Sequence, residues 1–209
     1  MAQYISDDVL ARLSVSRESF AKIDAYVQLL LTWQTKINLI GPSTIEDVWR
    51  RHVMDSLQLL PLMQSKTEAV ADLGSGAGIP GLVLALGGNL RADLYESNGK
   101  KVAFLREAIR QTKANATVHQ IRLEALEDHL PAKIPQYVTA RALAPLGKLL
   151  GWAEPLLKRG AIGLFHKGQG VDSELNETTK FWKIGAIKKH ASMTDSDGTI
   201  LEVKEIARV

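Results

Sequence analysis

The stretch ADLGSGAGIPGLVLAL, residues 71–86, constrains the fold more than any other part of the chain. Gly74, Gly76, Gly78 and Gly81 fall within eight positions, after a short apolar run and before a longer one. A glycine turn that leaves a strand and opens a helix lets the backbone approach a ligand closely. Pro80 suits the first helical turn, where a missing N–H costs nothing. Downstream the alternation repeats. RADLYES, ATVHQIR, YVTARAL and AIGLFHK read as strands; GKKVAFLREAIRQTK, LGKLLGWAEPLL and the polar DSELNETTKF read as helices. WKIGAIKKH and ILEVKEIA close the chain as two strands, joined by MTDSDGT with its Asp-Gly hairpin chemistry. This order predicts an α/β fold with a mostly parallel, Rossmann-like sheet, helices on both faces and a C-terminal antiparallel hairpin.

Ahead of the glycine turn the chain reads as helices. SRESFAKIDAYVQLLLTWQTKINLI keeps apolar residues at helical spacing, with Ser16 as N-cap and Gly41-Pro42 as terminator. A second helix is expected from a Ser43 or Thr44 cap to Leu60, before Pro61. The expected organisation is a helical extension, residues 1–66, packed on a core of residues 67–209. The opening MAQYISDDVL carries Asp7 and Asp8 where a signal peptide needs basic and then apolar residues. No apolar run approaches the roughly 20 residues of a membrane span, so the expectation is a cytoplasmic protein; a fold of this kind could serve as a monomer. The net charge of +3 permits an acidic partner such as RNA without demanding one.

Sheets of this type bind ligands at the carboxyl ends of their strands, at the topological switch point. That gathers residues 72–79, 96–98, 122–125 and 141–145 around one crevice. A P-loop is excluded, since no Gly-Lys-Ser or Gly-Lys-Thr follows the turn. A dinucleotide stays open, because Gly76, Gly78 and Gly81 spell G-x-G-x-x-G. In that register, however, Asp72 puts negative charge where a pyrophosphate would lie. S-adenosylmethionine fits better, being cationic and free of phosphate. Asp72 would act near its amino-acid moiety, directly or through water. Gly74, Gly76 and Gly78 would admit the ligand to the backbone. Glu96, with Ser97 beside it, would accept the ribose hydroxyls at the end of the second strand.

Taken in order, DLGSGAGIPG, YESNGKKVAFLREAI, IRLEAL, TARALAPL and HKGQ resemble the RsmG (GidB) family, the bacterial 16S ribosomal RNA guanine-N7 methyltransferases; INLIG and RRHVMDSL resemble its helical segment. The resemblance spans nearly the whole chain. It implies a class I S-adenosylmethionine-dependent methyltransferase fold and methyl transfer to N7 of a guanine in 16S ribosomal RNA or the small subunit. It also implies a cofactor pocket that includes Gly74, Ile79, Leu123, Glu124 and Arg141. Two departures are visible. Glu96-Ser97 stands where the family often has Asp-Ser, and Lys101 stands where an arginine is common.

The chemistry legible in the residues is compatible with this. With no cysteine, pyrimidine C5 methylation through a cysteine adduct is excluded, and no metal is expected. No Asn-Pro-Pro-Tyr or Asp-Pro-Pro-Tyr marks exocyclic amine methylation. Guanine N7 carries an in-plane lone pair and no proton, so positioning suffices without a general base. Arg141 and Lys167 each have two readings, as partners of carboxylates at the sheet end or as groups that position the cofactor or RNA. Arg50, Arg51, His52 and Asp55 share one helix, either as a brace that fixes the N-terminal helices or as an RNA-positioning rim. Lys100, Lys101 and Arg106, with Arg110, form either a solvated helix face or a phosphate track. Trp33 and Trp49 read as helix-packing residues and His119 as structural.

Overall fold

The computed structural model describes residues 15–64 and 67–209; the acidic opening at Asp7–Asp8 and the expected domain boundary at Lys66 lie outside them. Seven strands form one sheet: β1 (Ala69–Leu73), β2 (Arg91–Tyr95), β3 (Ala116–His119), β4 (Tyr137–Arg141), β5 (Ile162–Lys167), β6 (Trp182–Ala191) and β7 (Thr199–Arg208). Their order is β3-β2-β1-β4-β5-β7-β6. β7 alone runs antiparallel to its neighbours β5 and β6, as the closing Asp-Gly turn predicts. β1 is buried along its whole length, which fits a parallel strand covered on both faces. The chain reverses its direction of progress between β1 and β4, so the crevice opens where their carboxyl ends part.

One face of the sheet is covered by α1 (Arg17–Gln34), α3 (Gly81–Gly88) and α4 (Gly99–Thr112), whose Ile23, Leu30, Leu82, Phe104 and Leu105 share one apolar cluster. The other face is covered by α5 (Leu146–Leu157) and α6 (Val171–Thr178). The N-terminal segment therefore has no core of its own. Trp33 packs edge-on against Phe104, and Phe20 stacks on Trp49. His119 bonds Asp93 at 3.0 Å and stacks on Tyr95.

Three boundaries differ from the sequence expectation. Ser16 caps α1 by accepting from Ser19 N–H, but the helix stops at Gln34 rather than at Gly41-Pro42. The Gln34 side chain supplies the reason. Its Oε1 accepts from Leu39 and Ile40 N–H and its Nε2 donates to the Ile40 carbonyl, so it serves backbone groups that a continuing helix would have satisfied. The expected second helix is broken into a 3-10 turn at Pro42–Thr44, a π-helical stretch at Trp49–Met54, the single turn α2 (Asp55–Leu57) and a 3-10 turn at Leu60–Leu62. Partners elsewhere in the fold hold this wider winding. β3 ends at His119 and leaves Ile121 and Arg122 in the connection to a 3-10 stretch at Leu123–His129.

Candidate functional site

The turn between β1 and α3 is a left-handed cradle. Gly74, Gly76 and Gly78 have φ of +65°, +57° and +87°, values that side chains rarely tolerate. A Cβ on Gly74 would lie 2.4 Å from Leu143 Cδ1. A Cβ on Gly76 would stand in the mouth of the crevice, 4.0 Å from Lys101 Nζ. Gly78 departs from the expectation. Its missing side chain makes room for Leu82 and Leu105, so it serves turn–helix packing and not the crevice wall.

Asp72 departs as well. It is fully buried, and its carboxylate accepts from Thr139 Oγ1 at 2.8 Å and from Gly81 N–H at 3.1 Å. A Cβ on Gly81 would come within 2.4 Å of Asp72 Cβ. The residue braces the turn from beneath and does not line the crevice. Burial pushes its carboxyl up to about 6, against the pull of the Thr139 and Ser75 hydroxyls and the Gly81 amide.

Glu96 does face the crevice. Its Oε2 accepts from Gly76 N–H at 2.9 Å and its Oε1 from Asn98 N–H at 2.7 Å. Each oxygen keeps a further lone pair, so two neighbouring hydroxyls can still be accepted. Ser97, Leu123 and Glu124 line the same compartment of about 420 Å³, together with Leu143, Lys148 and Trp152. Ile79 lines an adjoining compartment of about 260 Å³ with Leu39, Gly41, Ala77 and Arg141. Gly74, Lys101 and Ala142 border both. Ala142 holds φ at +48°, a strained value at the end of β4 that seats Leu143 against Gly74.

A third chamber, of about 540 Å³, lies beyond Arg141, between the ends of β4 and β5 and the β6–β7 turn. Here the two residues expected to position substrate are already engaged. Arg141 donates from Nη1 to His52 Nδ1, from Nη2 to the Arg51 carbonyl and from Nε to Asp55 Oδ2, at 2.8, 2.7 and 3.0 Å. Because Nδ1 accepts, His52 carries its proton on Nε2 and donates it to Thr44 Oγ1 at 2.7 Å. Burial, with the Arg141 charge, lowers His52 to about 4, so it stays neutral. Lys167 is held by the Ala144 carbonyl and by Glu174, whose Oε1 also receives the Leu146 N–H at the start of α5. Both side chains border the chamber while being tied into the sheet end, with each paired to a carboxylate there.

Arg50 and Arg51 are likewise occupied. Arg50 bonds Asp47 and the Thr194 carbonyl, and Arg51 pairs with Asp195 at 2.9 Å. Asp55 Oδ1 accepts from Thr194 Oγ1, and Gln58 Oε1 from Met193 N–H. The π-helical segment therefore latches the β6–β7 turn over the chamber, and the brace reading of these residues is the one the contacts realise. Lys100 and Arg106 are exposed on α4, while Lys101 leans into the crevice. Sequence reasoning missed Tyr26. Its buried hydroxyl donates to the Ala77 carbonyl at 2.7 Å, tying α1 to the glycine turn. At helical spacing among apolar residues it carried no signal beyond that of a core aromatic. Among the described residues no helix is long and apolar enough to cross a membrane, and no cluster of His, Cys, Asp and Glu could hold a metal ion.

Comparison with known proteins agrees with this geometry. The family described as rRNA small subunit methyltransferase G, GidB, matches residues 19–199. The ribosomal RNA small subunit methyltransferase G of Nitrobacter hamburgensis is 50% identical over 203 residues, covering 95% of this chain and 77% of the relative. That of Paramagnetospirillum magneticum is 46% identical over 202 residues, covering 97% and 96%. Among solved structures, M. jannaschii TYW2 in complex with AdoMet superposes with a TM-score of 0.57 at 16% identity, over 84% of this chain and 80% of that one. The glycopeptide N-methyltransferase MtfA, complexed with S-adenosyl-L-methionine, gives 0.58 at 11% identity, over 73% and 93%. These two show the fold alone, a class I methyltransferase sheet. With a glycine cradle facing an acid at the end of β2, and relatives matched along nearly the whole chain, the protein belongs to the rRNA small subunit methyltransferase G (GidB) family.

Proposed function

We propose that this chain transfers a methyl group from S-adenosylmethionine to N7 of a guanine in 16S ribosomal RNA. The observation that carries the reading is the crevice itself. A backbone cradle that excludes side chains at Gly74 and Gly76 faces a carboxylate, Glu96, whose free lone pairs suit a ribose. When bound, S-adenosylmethionine supplies an electrophilic methyl group on a sulfonium centre. The chain's own part is to hold and orient. Glu96 takes the ribose hydroxyls, Leu123 and Leu143 flank the base, and Asp72 keeps the turn in shape from below.

The chamber beyond Arg141 receives the guanine. Asp55, Glu174, Arg141 and Lys167 around it are all engaged in hydrogen bonds or ion pairs. His166, on the same wall, donates from Nε2 to the Asp55 carbonyl and keeps Nδ1 without a partner, but N7 requires no general base, since its lone pair bears no proton. Positioning of two reactants can lower a barrier by up to about 7–11 kcal/mol in favourable cases. Lys100 and Arg106 on the exposed face of α4 supply phosphate contacts beside the crevice. The protein works as a monomer in the cytoplasm.

The test is transfer of radiolabelled methyl from S-adenosylmethionine to small-subunit RNA from cells lacking the protein, followed by nuclease digestion and mass spectrometry. A single 7-methylguanosine is the expected product. Label on another base or atom, or cofactor binding with no transfer to RNA or subunits, overturns the reading.

A further inference from the structure

We propose that Lys101 binds the cofactor, its ammonium pairing with the methionine carboxylate of S-adenosylmethionine. This rests on the crevice being an S-adenosylmethionine site. Lys101 lies in the first turn of α4, where Asn98 Oδ1 already accepts the N–H groups of Lys100 and Lys101. The helix end thus has little left to offer an anion, and the side chain is the group that remains. Lys100 is exposed, but Lys101 is half-buried and borders both compartments of the crevice. Its Nζ lies 4.0 Å from the place a Cβ on Gly76 would occupy, directly over the cradle. Among the described residues, no hydrogen bond or ion pair engages it.

The other cations on these walls are less suited. Arg141 spends its guanidinium on His52, Arg51 and Asp55. Lys148 lies over the Trp152 ring, 4.8 Å from its centroid, and Arg122 borders only the Glu96 compartment. S-adenosylmethionine carries two positive groups and one carboxylate, and a carboxylate withdrawn from water needs a charged partner. With the ribose at Glu96, the methionine tail falls in the compartment of Leu39, Gly74 and Ala77, which Lys101 overhangs. The same ammonium could instead serve an RNA phosphate, and the test separates the two.

Calorimetry is run on the wild-type chain and on Lys101→Met and Lys101→Arg, with S-adenosylmethionine and with its decarboxylated analogue. Melting curves establish that each variant is folded. Lys101→Met is expected to lose about tenfold or more in affinity for S-adenosylmethionine, the scale of one charge-assisted hydrogen bond. The decarboxylated analogue should bind wild type and Lys101→Met alike, and Lys101→Arg should keep most of the affinity. Equal loss for both ligands overturns the proposal, as does no loss for either. Loss of affinity for small-subunit RNA alone overturns it too and assigns the lysine to phosphate. If the wild-type chain binds no S-adenosylmethionine at all, it is the reading of the crevice that fails.

Discussion

Arg141 shows how a residue at the right address can hold a different post. It stands at the end of β4, beside the crevice, yet its guanidinium is spread over His52, the Arg51 carbonyl and Asp55. Arg141→Met would leave the Asp55 carboxylate buried beside an apolar chain and His52 Nδ1 without a donor. Breaking one side of a buried ion pair costs about 3–5 kcal/mol, so urea unfolding of Arg141→Met should show a loss of that size. Stability equal to wild type would remove this network from the forces that hold the N-terminal segment. His52 gives a pH signature. Its folded value of about 4 lies below the ordinary 6.5, so the unfolded chain binds the extra proton between those pH values. The stabilisation is fully present above about pH 6.5 and is lost as pH falls towards 4, on the order of 3 kcal/mol in all. Histidine NMR titration should find the His52 ring still neutral at pH 5. His52→Asn should flatten the acid limb of the stability curve; an unchanged limb would place the titration elsewhere.

At the scale of elements, the N-terminal helix shapes the cofactor turn from outside the sheet. Tyr26 on α1 reaches the Ala77 carbonyl between two left-handed glycines. Removing the hydroxyl leaves that buried carbonyl without its donor, a cost of about 1–3 kcal/mol. Tyr26→Phe should therefore lower stability by that amount and weaken S-adenosylmethionine binding, read by denaturation and calorimetry on the same preparation. Stability lost with cofactor affinity intact would confine Tyr26 to packing. The broken helix at residues 42–62 belongs to the same account. Its apolar spacing is helical in sequence, but its backbone winds as π and 3-10 pieces because Arg141 at the end of β4 and Thr194 and Met193 in the β6–β7 turn bind its side chains. Local periodicity carries no trace of such partners. Gln34 ends α1 early for a similar reason, since its amide meets the backbone of the next turn.

For the whole molecule, Lys100 and Arg106 are exposed on α4 while Arg50 and Arg51 are latched to the β6–β7 turn. Reversing charge at Lys100 and Arg106 together should weaken small-subunit RNA binding and reduce the slope of log affinity against log salt by about 2. S-adenosylmethionine affinity should not change. An unaltered salt slope would move the RNA footprint off this helix.

The order of strands and helices, the glycine cradle and the acid at the end of β2 were all legible from the sequence. Each is written in local pattern, as alternation, periodicity or residues at fixed offsets. The sequence also brought the right loops to one end of the sheet, because parallel strands place their carboxyl ends together. Only the tertiary structure decided which charged groups are free. It put Asp72 beneath the turn, spent Arg141, Lys167, Arg50 and Arg51 on ion pairs and carbonyls, and left Lys101 open over the cradle. A side chain's availability depends on partners that are distant in the chain, such as Asp55 and Arg141, 86 positions apart. Burial makes those pairings obligatory, because a charge withdrawn from water must find a partner within the fold.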